Sequence, residues 1–213
     1  MHPDVTWTHP FLDAVVHFLP EDTRRAVDVG CGRGIGGVLC RLYRNPQRLV
    51  GLDAFRPYLE SLRELNVYSE LIRADFARTP SLPFRPNSFD VALALEVIEH
   101  IPRREGEALV EDLQEKCTRV IVSTPNEFFE QDSYDTNPFQ SHLSFWHVRD
   151  FEKMGFEVYG VGGLRGLGPS VGYALGRLTA LFPRASTQLL AVWDRQGEVS
   201  PFGRGIRPAR GHP

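Results

Sequence analysis

The chain is short of several features, and each shortage excludes a class of protein. It has three cysteines in 213 residues, Cys31, Cys40 and Cys117. They are odd in number and widely spaced, so they form neither a disulfide framework nor a zinc pattern, and they fit a reducing compartment. Met1 is followed by His2, Pro3 and Asp4 with no apolar segment behind them. No secretory leader is expected, and a cytoplasmic location is. The best candidate for a membrane span, residues 171–182, carries Arg177 and falls well short of the ~20 apolar residues a span needs. Positive charge is not in excess either, since the net charge is −3. Proteins that hold nucleic acid by neutralising phosphates are normally basic, so nucleic acid is not an expected partner. There are no internal repeats. Only the tail from 201 is biased in composition, with three arginines and no acid, and it is expected to be disordered.

Hydrophobic residues at 42% and charged residues at 24% describe ordinary globular material. Residues 1–200 are expected to form a single domain. Within them, short apolar runs at 26–29, 48–52, 70–74, 89–95, 119–123, 156–161 and 188–193 read as strands. Amphipathic stretches at 9–19, 35–43, 57–65, 103–117 and 148–154 read as helices. Strands that alternate with helices of this length predict an α/β fold. Right-handed crossovers make it a Rossmann-like, doubly wound, mostly parallel sheet with helices on both faces. Ligands in such sheets sit at the carboxyl ends of the strands, so the residues just after each strand are the ones to inspect.

The run Val27-Asp28-Val29-Gly30-Cys31-Gly32-Arg33-Gly34 ends the first strand in a glycine-rich turn that opens a helix. Gly32, Gly34 and Gly37 also satisfy the G-x-G-x-x-G spacing of dinucleotide enzymes, so the glycines alone leave two readings open. Asp28 separates them. A carboxylate just before the turn would repel a pyrophosphate but suits a ligand that brings an ammonium group. Asp53, at the end of the second strand, can accept from both ribose hydroxyls of an adenosine. Asp75 can accept from the adenine amine, with Phe76 covering the ring. The fourth strand ends at Leu95-Glu96, where the floor of the ligand site should meet the acceptor pocket.

In order and spacing, these motifs resemble those of class I S-adenosylmethionine-dependent methyltransferases. Ser123-Thr124-Pro125-Asn126 and the pattern Trp146, Phe151, Gly155-Phe156 resemble the small-molecule branch of that family. The resemblance runs over residues 26–161. It implies a seven-stranded sheet with an antiparallel last strand. It also implies S-adenosyl-L-methionine as cofactor and S-adenosyl-L-homocysteine as product. The cofactor residues it implies are Asp28, Gly30, Cys31, Gly32, Gly34, Asp53, Ala54, Asp75, Phe76, Leu95 and Glu96. Arg33 departs from the small or polar residue more usual there, and is expected to face solvent or to reach an anionic acceptor.

Expectations for the acceptor side rest on fewer signals. The aromatic stretch 125–147, together with 162–186, is expected to form a loop and lid over a small-molecule acceptor. His142 is the expected general base for a hydroxyl acceptor, because an imidazole titrates near neutrality. His100, Asn126, Gln140 and Trp146 are expected to contact the acceptor. No metal is expected, because no H-E-x-x-H type spacing occurs. The expected reaction is methyl transfer to a small-molecule or sugar hydroxyl. N- or C-methylation, a nicotinamide-dependent oxidoreductase and a non-catalytic adenosyl-binding module remain as alternatives. The oligomeric state is not legible.

Overall fold

The structure, a computed structural model, describes residues 10–127, 136–164 and 182–197. Helix α1 (Pro10–Phe18) leads into β1 (Arg25–Val29), α2 (Ile35–Tyr43), β2 (Arg48–Asp53), α3 (Arg56–Leu65) and β3 (Glu70–Arg73). Then follow β4 (Phe89–Leu95), a 3₁₀ turn at Ile98–His100, α4 (Arg103–Lys116) and β5 (Cys117–Pro125). After a second 3₁₀ turn at Pro138–Gln140 come α5 (Val148–Lys153), β6 (Glu157–Leu164) and β7 (Ser186–Asp194).

The seven strands form one sheet in the order β3-β2-β1-β4-β5-β7-β6. Strands β1 to β5 pair in parallel, while β7 runs antiparallel to both β5 and β6. This is the expected fold class, and the antiparallel strand is the one the resemblance implied. The period-2 alternation of each strand divides its side chains between the two faces. Val27 and Val29 of β1, with Ala92 and Ala94 of β4, pack in the layer that contains Leu109 and Leu113 of α4 and Phe151 of α5. Ala26, Val91 and Leu93 face the other way, onto Val15 of α1 and Leu39 of α2. Both faces are therefore covered, as a parallel sheet requires.

Local signals explain the helix ends. Pro57 sits in the first turn of α3, where its missing N–H costs nothing, and Asn66 ends the helix in the left-handed region at φ 50°. Gly34 opens α2 at φ 90°. Strand order reverses between β1 and β4, which opens a crevice beyond their carboxyl ends. Of the expected lid, residues 165–181 lie outside the described residues. So do 128–135 of the aromatic stretch and the tail 201–213. Among the described residues, no helix is long and apolar enough to cross a membrane.

Candidate active site

A cavity of about 460 Å³ lies in that crevice. Its walls include Asp28, Gly30, Cys31, Gly32, Asp53, Ala54, Asp75, Phe76, Leu95 and Glu96, gathered from the ends of the first four strands. Gly34 does not line it. The turn that carries this residue shapes the wall instead, through Gly34 N–H donating to Cys31 O at 2.7 Å. Gly30 has φ +63°, and a Cβ there would meet Val97 Cγ2 at 2.5 Å, so no larger residue fits without displacement. Arg33 is exposed on the cavity rim, over the Tyr58 ring at 5.7 Å.

Each acid at a strand end has defined partners. Asp28 is 2% exposed and accepts from the Tyr68 hydroxyl at 2.6 Å. Burial pushes its pKa up from 3.8 to about 7. The Tyr68 and Gly37 hydrogen bonds oppose that rise and the Asp53 charge adds to it. Asp53 accepts from Gly32 N–H at 2.8 Å and Phe55 N–H at 2.7 Å, one on each oxygen. A carboxylate has about four lone-pair sites, so capacity remains for a ligand. Burial raises its pKa against those backbone bonds. Asp75 accepts from Ala77 N–H at 3.1 Å, and Phe76 is buried against the cavity floor. Glu96 stands at φ +54°, uncommon for a non-glycine residue. Its carboxylate accepts from Ser123 Oγ at 2.7 Å and Gln188 Nε2 at 3.3 Å, while burial raises its pKa.

Past Glu96 the cavity continues along Glu99, His100, Asn137, Phe139, Gln140 and His142. His100 and His142 face each other with ring centroids 5.0 Å apart. Desolvation lowers the His100 pKa. Two residues expected at the acceptor are elsewhere. Trp146 is wholly buried against Phe151 and donates to Ile98 O at 3.3 Å, so it is part of the core and does not line the cavity. Asn126 is buried as well, and its amide donates to Pro183 O and Ser186 O at 2.8 Å each, which ties the end of β5 to the start of β7. Tyr68, Glu99, Asn137 and Phe139 are site or supporting residues that the strand-end rule did not single out. In sequence Glu99 is only an acid beside a helix start, where acids are common, and Tyr68 reaches Asp28 from 40 residues away.

Residues 27–124, from β1 into β5, match the family model described as a methyltransferase domain. By that match these residues form a methyltransferase domain. No curated protein matches it. Solved structures of similar fold include the methyltransferase domain of bacterial CtHen1, at 21% identity and TM-score 0.56, covering 87% of this chain and 97% of that one. A second is an S-adenosylmethionine-dependent methyltransferase from Archaeoglobus fulgidus, at 13% identity and TM-score 0.58, covering 87% and 93%. A third is a methyltransferase in complex with the Haloferax volcanii Trm112 activator, at 16% identity and TM-score 0.58, covering 84% and 86%. At these identities the likeness is one of fold. A methyltransferase domain of this kind takes S-adenosylmethionine as cofactor and releases S-adenosylhomocysteine. The acid-lined end of the cavity has the chemistry that cofactor needs. It offers carboxylates for an ammonium and a ribose, and an aromatic face for a base.

Proposed function

We propose that this methyltransferase transfers its methyl group to a hydroxyl of a small organic molecule or sugar, in one in-line displacement. The oxygen–carbon bond forms as the carbon–sulfur bond breaks, and the sulfur keeps the electron pair. Sulfonium is a good leaving group, so positioning is the main demand on the protein, and orientation of this kind can supply about 7–11 kcal/mol. The observation that carries the reading is the division of one cavity into two chemistries. Asp28, Asp53 and Asp75 line the cofactor end, and His100, Gln140 and His142 line the other.

In this reading Asp28 takes the ammonium, Asp53 the ribose and Asp75 with Phe76 the adenine. The acceptor docks between Phe139, Gln140 and the two histidines, and its proton leaves at His142. A small acceptor also suits a cavity of this volume in a chain of net charge −3. The test is product formation. Incubation with S-adenosylmethionine and a panel of phenols, alcohols and sugars should yield S-adenosylhomocysteine with at least one member, and none with matched amines. Turnover only with amines, or only with RNA, would move the acceptor class.

A further inference from the structure

Three side chains with metal-ligating atoms converge at the acceptor end of the cavity. A carboxylate oxygen of Glu99 and ring nitrogens of His100 and His142 all lie within 4.8 Å of one another. The first two come from the 3₁₀ turn after β4, and His142 comes from the segment before α5. Backbone bonds hold these pieces together. Leu143 N–H and Ser144 N–H donate to Glu99 O at 2.7 and 3.0 Å, and Ser144 Oγ donates to Ile98 O at 3.0 Å. These bonds hold the two pieces together without using the Glu99 carboxylate.

Two further observations point to a cation. His100 Nδ1 lies 3.1 Å from Ser141 O. A carbonyl can only accept, so Nδ1 carries the proton and the Nε2 lone pair is left for a ligand, the arrangement usual for metal-binding histidines. Glu99 is 3% exposed, and among the described residues its carboxylate oxygens make no well-formed hydrogen bond, with the Thr124 hydroxyl beside them as a weak partner at best. A buried carboxylate in that state is costly unless something positive meets it. Glu96 stands close enough to add negative charge.

We propose that Glu99, His100 and His142 bind a divalent transition-metal ion whose open coordination positions face the cavity and take the acceptor hydroxyl. This rests on the hydroxyl-methylation reading above and gives the proton step its chemistry. Two imidazoles and one carboxylate suit zinc, manganese, cobalt or iron better than magnesium or calcium. Three protein ligands leave room for an acceptor oxygen. A bound divalent ion lowers the pKa of a coordinated water from 15.7 to about 7 in favourable cases, and an acceptor hydroxyl is acidified in the same way. The hydroxyl proton leaves to water, the oxygen attacks the methyl carbon, and neutral S-adenosylhomocysteine departs. His142 then serves as a ligand, and the ion acidifies the hydroxyl in place of direct proton transfer to a free imidazole.

The test uses chelator-stripped full-length protein. Titration with Co²⁺, read by visible absorption, and equilibrium dialysis with Zn²⁺ or Mn²⁺ should find one ion per chain, with Mg²⁺ much weaker. Glu99→Gln and His142→Gln should each weaken that ion by tenfold or more. S-adenosylhomocysteine affinity, measured on the same samples, should not change. Glu99→Gln keeps side-chain volume and leaves the backbone clamp intact, so apo melting should hold within a few degrees. Stripped wild type should lose turnover and regain it with the ion. The metal proposal is overturned by any of three results: no stoichiometric ion, an ion retained by both variants, or full turnover after stripping. Loss of S-adenosylhomocysteine binding in wild type would instead count against the cofactor end, so the two failures are distinguishable.

Discussion

Asp28 keeps its carboxylate beneath the first turn of α2, where a Cβ on Gly36 would come within 2.7 Å of it. Burial pushes its pKa from 3.8 to about 7, so the folded apo protein holds a proton that the unfolded chain has already lost. The stability linked to Asp28 is therefore fully present below about pH 4 and disappears as pH rises to 7. At 1.36 kcal/mol per pKa unit, that is on the order of 4 kcal/mol across the window. Asp28→Asn should flatten this part of the pH–melting curve of the apo protein. Cofactor binding should show the opposite slope. An ammonium needs the carboxylate ionised, so affinity for S-adenosylhomocysteine should rise with pH through about 7, with proton release, and the variant should lose that rise. Calorimetry in buffers of different ionisation enthalpy reads the proton directly. Identical pH profiles for wild type and variant would remove Asp28 from the ammonium site. Asp28 was legible in the sequence because an acid inside an apolar strand is anomalous. Tyr68 was not, because nothing local marks a tyrosine that folds back over 40 residues. Trp146 was misjudged because an aromatic loop residue reads the same whether it faces a ligand or the core.

The element that shapes the acceptor end is the segment from Ser141 to His147, clamped on the 3₁₀ turn after β4. Arg103, at the start of α4, holds it from outside. Its guanidinium lies 3.9 Å from the Trp146 ring centroid, donates to Phe145 O at 3.0 Å and meets Asp150 at 3.1 Å. Asp150 in turn accepts from His147 N–H at 2.8 Å, capping α5. A partly buried cation–π contact with one charged hydrogen bond amounts to about 1–3 kcal/mol. Arg103→Ala should lower apo stability by that much in denaturant unfolding. It should reduce kcat while leaving S-adenosylhomocysteine affinity within twofold, because the clamp is remote from the first three strand ends. Arg103→Lys should recover little, since an ammonium cannot stack and fork at once. Equal loss of cofactor affinity would show that the clamp supports the whole sheet end. The regular elements were legible to within about three residues, because periods of 2 and 3.6 are written along each one. The 3₁₀ turn Pro138–Gln140 was not, since Asn137 accepting from Phe139 N–H at 2.9 Å leaves no periodic trace.

For the molecule as a whole, alternation of strands and helices made the parallel part of the sheet legible. The antiparallel β7 was not readable that way. A strand's direction depends on where its neighbours lie, and β7 pairs with β5 across more than 60 residues of chain. Placed there, it delivers Gln188 to Glu96 at 3.3 Å, at the boundary between the two ends of the cavity. That boundary makes the last prediction. Asp53 bonds to Gly32 and Phe55 at the end of β2, while His142 packs against His100 in the segment before α5. Sites without shared partners contribute nearly additive free energies. Asp53→Ala should weaken S-adenosylmethionine binding by about 1.5–3 kcal/mol, the range for a charged hydrogen bond, with little change in kcat at saturating cofactor. His142→Gln should lower kcat by about 10²-fold or more and leave cofactor affinity intact. In the double variant the two losses in kcat/KM should multiply. Steady-state kinetics on the four proteins checks this, with circular dichroism confirming that each is folded. A double variant no worse than the poorer single one would mean that cofactor and acceptor are gripped as one unit, and the division of the cavity into two ends would have to be given up.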